Sequence, residues 1–143
     1  MKLSLFIFLA AAVLGPELCL ATLHNITVKG ELLCDNATVS NVKVELREHD
    51  TFDPDDTINA VHTDSSGRFE IFGEEDERKL TTFYLRIFHK CDATHPKVCT
   101  RATEYDVPEK KLDSVYDMGS ISLNLQDNKE LGRRYDRDSE ECD

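Results

Sequence analysis

A period of two runs through most of this chain. Ile26, Val28 and Leu32 alternate with Thr27, Lys29 and Glu31, and Val42, Val44 and Leu46 alternate with Lys43, Glu45 and Arg47. Successive side chains of a strand point to opposite faces, so this pattern builds strands with one face buried and one in water. The same reading places further strands over 58–63, 68–72, 83–89, 98–105 and 119–126, the last carried by Ile121, Leu123 and Leu125. Asp64-Ser65-Ser66-Gly67 reads as a tight hairpin between the third and fourth strands, with Gly supplying the positive φ. Only a turn or so of helix fits, around 109–114. Seven short, regularly spaced strands without a long helix predict an all-β protein, a seven-stranded antiparallel-type β-sandwich.

The first residues stand apart from that pattern. Lys2 precedes an apolar run ending at Leu14, which Gly15 and Pro16 break before Cys19-Leu20-Ala21. That is the form of a secretory signal peptide over 1–21, and the run falls short of the roughly 20 residues a membrane-spanning helix needs. The expected organisation is therefore a signal peptide, one β-sandwich domain over 22–126, and a mixed-charge tail over 127–143. With 17 Lys+Arg against 28 Asp+Glu, the chain carries a formal net charge of -11 and no basic footprint for nucleic acid.

Secretion exposes Cys34, Cys91, Cys99 and Cys142 to an oxidising compartment, so two disulfides are expected. Three pairings are open by counting. Strand parity favours one of them. If each strand reverses direction, all four cysteines fall at one end or on the tail leaving it. Cys91 then pairs with Cys99 across a hairpin, and the tail returns Cys142 to Cys34. His89, Cys91, His95 and Cys99 have ligand-like spacing for zinc, but a bridged pair supplies no thiolates, and no metal is expected. Asn25-Ile26-Thr27 and Asn36-Ala37-Thr38 are N-glycosylation sequons, with Asn25 and Asn36 as the acceptors.

The segments Val28-Lys29-Gly30-Glu31-Leu32-Leu33-Cys34, Asp50-Thr51-Phe52-Asp53-Pro54-Asp55-Asp56, Thr63-Asp64-Ser65-Ser66-Gly67-Arg68-Phe69, Tyr84-Leu85-Arg86-Ile87-Phe88-His89-Lys90-Cys91 and Tyr116-Asp117-Met118-Gly119-Ser120-Ile121 follow one another in this order. In that ordered combination the chain resembles the transthyretin-like family of nematode secreted proteins, over about Ile26 to Leu125. The resemblance implies a prealbumin-like sandwich, secretion, and extracellular recognition; one member is attributed a role bridging phosphatidylserine on dying cells to an engulfment receptor. Related folds carry thyroid hormone or hydrolyse hydroxyisourate. The hydrolases use His and Arg side chains and a terminal Tyr-Arg-Gly-Ser, whereas this sequence reads Glu140-Glu141-Cys142-Asp143 and places His24 ahead of the first strand. Both the enzyme and the small-ligand carrier are accordingly disfavoured alternatives.

No catalytic residue or cofactor is expected, since no nucleophile elbow, zinc-protease helix or phosphate-cradling loop occurs. The informative group is acidic. Parity brings Asp50, Asp53, Asp55 and Asp56 to the same end as Glu74, Glu75, Asp76 and Glu77, opposite the cysteines. Asp50, Asp53, Asp55 and Asp56 are the partner-binding candidates; their spacing lacks the alternation and Gly of a calcium-binding EF-hand loop. The expected partner is an extracellular or cell-surface protein. An anionic phospholipid is the weaker reading, because the net charge repels such a surface; Lys110, Lys111, Arg133, Arg134 and Arg137 are the candidates to oppose that repulsion, with calcium bridging through the acidic end as the other route.

Overall fold

The computed structural model describes residues 23–50, 52–76, 82–125 and 138–143. The expected signal peptide, Glu77, and the tail arginines lie outside the described residues. Two sheets face each other. In the first, β1 (Leu23–Cys34) is central, with β5 (Arg68–Asp76) antiparallel on one side and β8 (Val115–Ser122) parallel to it. A short β2 (Ala37–Thr38) folds back on the end of β1. The second sheet has the order β4-β3-β6-β7-β9, built from β4 (Asp56–His62), β3 (Lys43–His49), β6 (Thr82–His89), β7 (Cys99–Asp106) and β9 (Asp138–Cys142). One 3-10 turn, Glu109–Lys111, lies where the helical turn is expected.

The core forms where the alternation says it should. Ile26, Val28 and Leu32 from β1 meet Val44 and Leu46 from β3, Ile71 from β5, and Phe83, Leu85 and Ile87 from β6, all essentially inaccessible to solvent. Burying each such side chain contributes about 1.5–3 kcal/mol, which makes this interior the main source of cohesion between the sheets.

The all-β sandwich is as expected, with four differences of physical origin. First, β1 and β8 are parallel: six reversals separate the first and last of the seven expected strands, so they run the same way, and pairing them gives the sandwich one parallel contact. Second, the last expected strand starts earlier and stops sooner than 119–126. Lys29 lies opposite Asp117 but Glu31 opposite Ser120, so β8 carries an extra residue. Gly119 supplies it at φ +65, and the buried positions switch from Tyr116 and Met118 to Ile121 and Leu123, breaking the period that the sequence pattern needs. Leu125, read as a core position, is exposed.

Third, the Asp64–Gly67 turn is tight but is no hairpin. Asp64 Oδ1 accepts from the amides of Ser66 (2.8 Å) and Arg68 (2.9 Å), and the Gly67 amide donates to the Asp64 carbonyl. The strands it joins belong to different sheets, because β4 pairs with β3 and β5 pairs with β1. Fourth, the end of the tail adds a strand: β9 lies antiparallel along β7, with Cys142 opposite Cys99.

The disulfide pairing is also corrected. Cys34 is bonded to Cys91 and Cys99 to Cys142. The β6–β7 ladder would place Cys91 across from Cys99 if it continued, but it stops at His89–Arg101. Beyond it Asp92 takes a positive φ of 53°, and the chain turns Cys91 toward the end of β1. One bridge therefore joins the two sheets, and the other fastens β9 to its edge.

Candidate functional site

The acidic end is organised by the connection between β3 and β4. Asp55, near its close, faces inward: Oδ2 accepts from the Tyr84 hydroxyl (2.5 Å) and lies 3.1 Å from His49 Nδ1, while Oδ1 accepts from the Asp50 amide (3.2 Å). Its backbone carbonyl accepts from Arg47 Nη2 at 3.0 Å, and Arg47 in turn pairs with the nearly buried Glu45. Burial works to raise the Asp55 carboxyl, but the bonds from Tyr84, His49 and Asp50 outweigh it and hold its pKa at about 2. Burial, joined by the bond to that carboxylate, pushes the Tyr84 phenol up to about 12.

Of the four aspartates read as partner-binding candidates, Asp55 is thus the brace of the loop. Asp50 is half-buried, and its Oδ1 accepts from the Phe52 amide at 3.1 Å, a local turn that sets the loop tip. Asp53 and Asp56 are exposed. Phe52, immediately before Asp53, is 92% exposed, the most exposed of the large apolar side chains among the described residues. Sequence reading passed over Phe52; an aromatic flanked by Asp50, Asp53, Asp55 and Asp56 was the available signal.

Glu74, Glu75 and Asp76 are not loop residues but the last positions of β5, laddered to Asn25, His24 and Leu23; His24, expected ahead of the first strand, is therefore the second residue of β1, because that strand begins earlier than its apolar alternation. Glu74 and Asp76 remain exposed. Asp113 joins the same end, where the Asn25 amide and His24 hold its carboxyl below the ordinary range. Lys110 and Lys111 arrive here as well, on the β7–β8 connection, and Lys111 Nζ lies 5.8 Å from the centroid of the Tyr116 ring.

The opposite end is built for holding. His89 is buried; the Cys91 amide donates to its Nδ1 (3.1 Å), so Nε2 carries the proton and donates to Thr103 Oγ1 (2.8 Å). Burial, with Arg101 nearby, pushes His89 down to about 4. Arg101, only 2% exposed, donates to the carbonyls of Cys91 and Leu123 and pairs with Asp138 at the start of β9. Thr94 grips both oxygens of Glu140 with its amide and hydroxyl. The quartet considered for zinc is dispersed, since Cys91 and Cys99 belong to different bridges. Among the described residues, the one grouping with metal-ligand spacing is Cys99, Glu140 and Cys142, whose two sulfurs are bonded to each other.

A shallow groove of ≈ 530 Å³ crosses the outer face of the first sheet. Its charges are arranged in opposite-sign rows: Lys29 lies 3.9 Å from Asp117, and Arg68 3.6 Å from Glu31. No histidine lines it.

These features define a disulfide-tied β-sandwich with an acidic, aromatic-tipped loop at one end and an oxidised, ion-paired clasp at the other. A family model for the transthyretin-like family matches residues 29–108. Transthyretin-like protein 16 of Caenorhabditis elegans is 42% identical over 123 residues, covering 86% of this chain and 92% of that protein. Transthyretin-like protein 46 of the same organism is 34% identical over 107 residues, covering 70% of this chain and 60% of that protein. This chain belongs to the transthyretin-like family.

Proposed function

We propose that this chain is a secreted extracellular binding module that docks a protein partner through the loop between β3 and β4. The observation that carries this reading is Phe52, held out into solvent on a loop whose base is locked by Asp55. An exposed phenyl ring is costly to leave in water, and on a braced loop it loses little further entropy when it enters a pocket. The carboxylates of Asp53, Asp56, Glu74 and Asp76 at the same end of the sandwich call for a basic rim on the partner, which would speed association and make it sensitive to salt. The two disulfides suit an oxidising compartment. Among the described residues no helix is long and apolar enough to cross a membrane.

The test is affinity capture of extracellular and cell-surface proteins by the folded chain, with Phe52→Ser and the double variant Asp53→Asn, Asp56→Asn beside it. A basic partner should be captured by the parent chain and lost by Phe52→Ser, while the double variant slows association most at low salt. Identical capture by all three chains overturns the docking role of the loop. Vesicles containing phosphatidylserine serve as the comparison. Binding to them that disappears on changing Lys110 and Lys111 to Gln would replace the protein-partner reading with the lipid one. Turnover of hydroxyisourate by the purified chain would replace it with the enzyme.

A further inference from the structure

The two sequons occupy unlike places in the fold. Asn25 sits within β1, between β5 and the segment ahead of β8. Its amide donates to Asp113 Oδ1 (3.0 Å), its carbonyl accepts from the Asp113 amide, and Glu74 is its neighbour in the ladder. Asn25 and Thr27 are both half-buried, and Thr27 lies in the row between Phe72 and Val115. The acceptor thus stands on a central strand, at the acidic end.

Asn36 is placed differently. With Asp35 it forms the two-residue turn joining β1 to β2, and their φ values of 51° and 63° are those of a type I′ hairpin, for which Asn is well suited. Asn36, Ala37 and Thr38 are all exposed. The Asn36 side chain has no hydrogen-bond partner among the described residues, so nothing has to be broken for its Nδ2 to carry a sugar. The turn belongs to the cysteine end, two residues beyond the bridged Cys34 and away from the Phe52 loop.

We propose that Asn36 is the N-glycosylated residue of this protein and that Asn25 is left bare. The ligand is a branched, hydrophilic oligosaccharide linked through N-acetylglucosamine to Nδ2. Transfer forms the Nδ2–C1 bond, breaks the C1–O bond to the lipid-linked diphosphate donor, and releases that diphosphate with the amide proton lost. The glycan covers the cysteine end with a hydrated volume and keeps bulk off the acidic loop, which orients the molecule with one end for solvent and one for a partner. This rests on the secretion part of the reading above, because the transfer takes place only in the secretory pathway.

The full-length chain is expressed in a eukaryotic secreting cell, and the protein from medium and from cells is mapped after enzymatic deglycosylation in heavy-oxygen water, which marks each formerly glycosylated Asn as labelled Asp. The label is expected at Asn36 in nearly all secreted molecules and close to absent at Asn25. Asn36→Gln and Thr38→Ala should collapse the protein to its bare mass, Asn25→Gln should leave the glycoform unchanged, and Thr38→Ser should retain it. Secreted protein with Asn36 bare, or with Asn25 labelled as fully as Asn36, overturns the inference and leaves secretion standing. A chain retained in the cytosol with both asparagines bare overturns secretion together with it.

Discussion

Asp55 carries more of the acidic end than its neighbours, although nothing in the sequence separates it from Asp53 and Asp56. Both its oxygens are taken up internally, so Asp55→Asn should lower stability by about 1–2 kcal/mol. Asp53→Asn and Asp56→Asn should each stay within about 0.5 kcal/mol, as exposed charges do. Denaturant unfolding at neutral pH distinguishes them. The pH dependence follows from the direction of each shift. Asp55 is depressed from the ordinary 3.8 to about 2, so its contribution is full above pH 4 and disappears as pH falls through 2. His89 is depressed from 6.5 to about 4, because folding keeps the imidazole neutral; its contribution is full above 6.5 and is lost as pH falls through 4. Melting temperatures measured from pH 8 to pH 2 should therefore decline in two stages. His89→Gln should flatten the upper stage and Asp55→Asn the lower; a single decline unchanged by either substitution would contradict both assignments.

At the scale of strands, two glycines mark where regular pleating would fail, for different reasons. A Cβ at Gly73 would lie 2.6 Å from Leu46 Cδ2 and 2.9 Å from Ile58 Cγ2, so this residue lets β5 approach β3 and β4 across the sandwich. Gly119 meets nothing within 4 Å, and its constraint is the φ of +65° that makes the bulge of β8. Gly73→Ala should cost about 1–3 kcal/mol through overpacking. Gly119→Ala should cost about 1–2 kcal/mol through backbone strain, and Gly119→Asn less, since Asn tolerates the left-handed region. Equal losses for Ala and Asn at 119 would count against the bulge. The alternation in β1, β3 and β6 was legible because these strands have one core-facing side and no interruption. β8 was misplaced because a single inserted residue reverses which positions face the core, and only its pairing with β1 reveals the insertion.

For the whole molecule, the bridges divide the work. Cys34–Cys91 joins the sheets, whereas Cys99–Cys142 holds β9, whose five residues are all exposed and supply little burial of their own. Replacing Cys99 and Cys142 by Ala should free β9, so amide hydrogen exchange rises over 138–142 and along β7 while the core still melts cooperatively. Replacing Cys34 and Cys91 should lower the global melting temperature, with a loss on the order of 2–5 kcal/mol. Peptide mapping of the unreduced protein should return the pairs 34–91 and 99–142.

The order of side chains along the chain was enough to determine an all-β sandwich with its cysteines at one end and its carboxylates at the other. Period and direction reversal are local properties that sum along the sequence. The tertiary structure decided which cysteines bond, which aspartate is spent on bracing, that Phe52 stands in water, and that the tail becomes an edge strand. Each of these depends on which groups meet across distances the sequence does not encode locally: a ladder that stops at His89, a tyrosine hydroxyl on β6 reaching Asp55, and an arginine inside the sandwich holding Asp138.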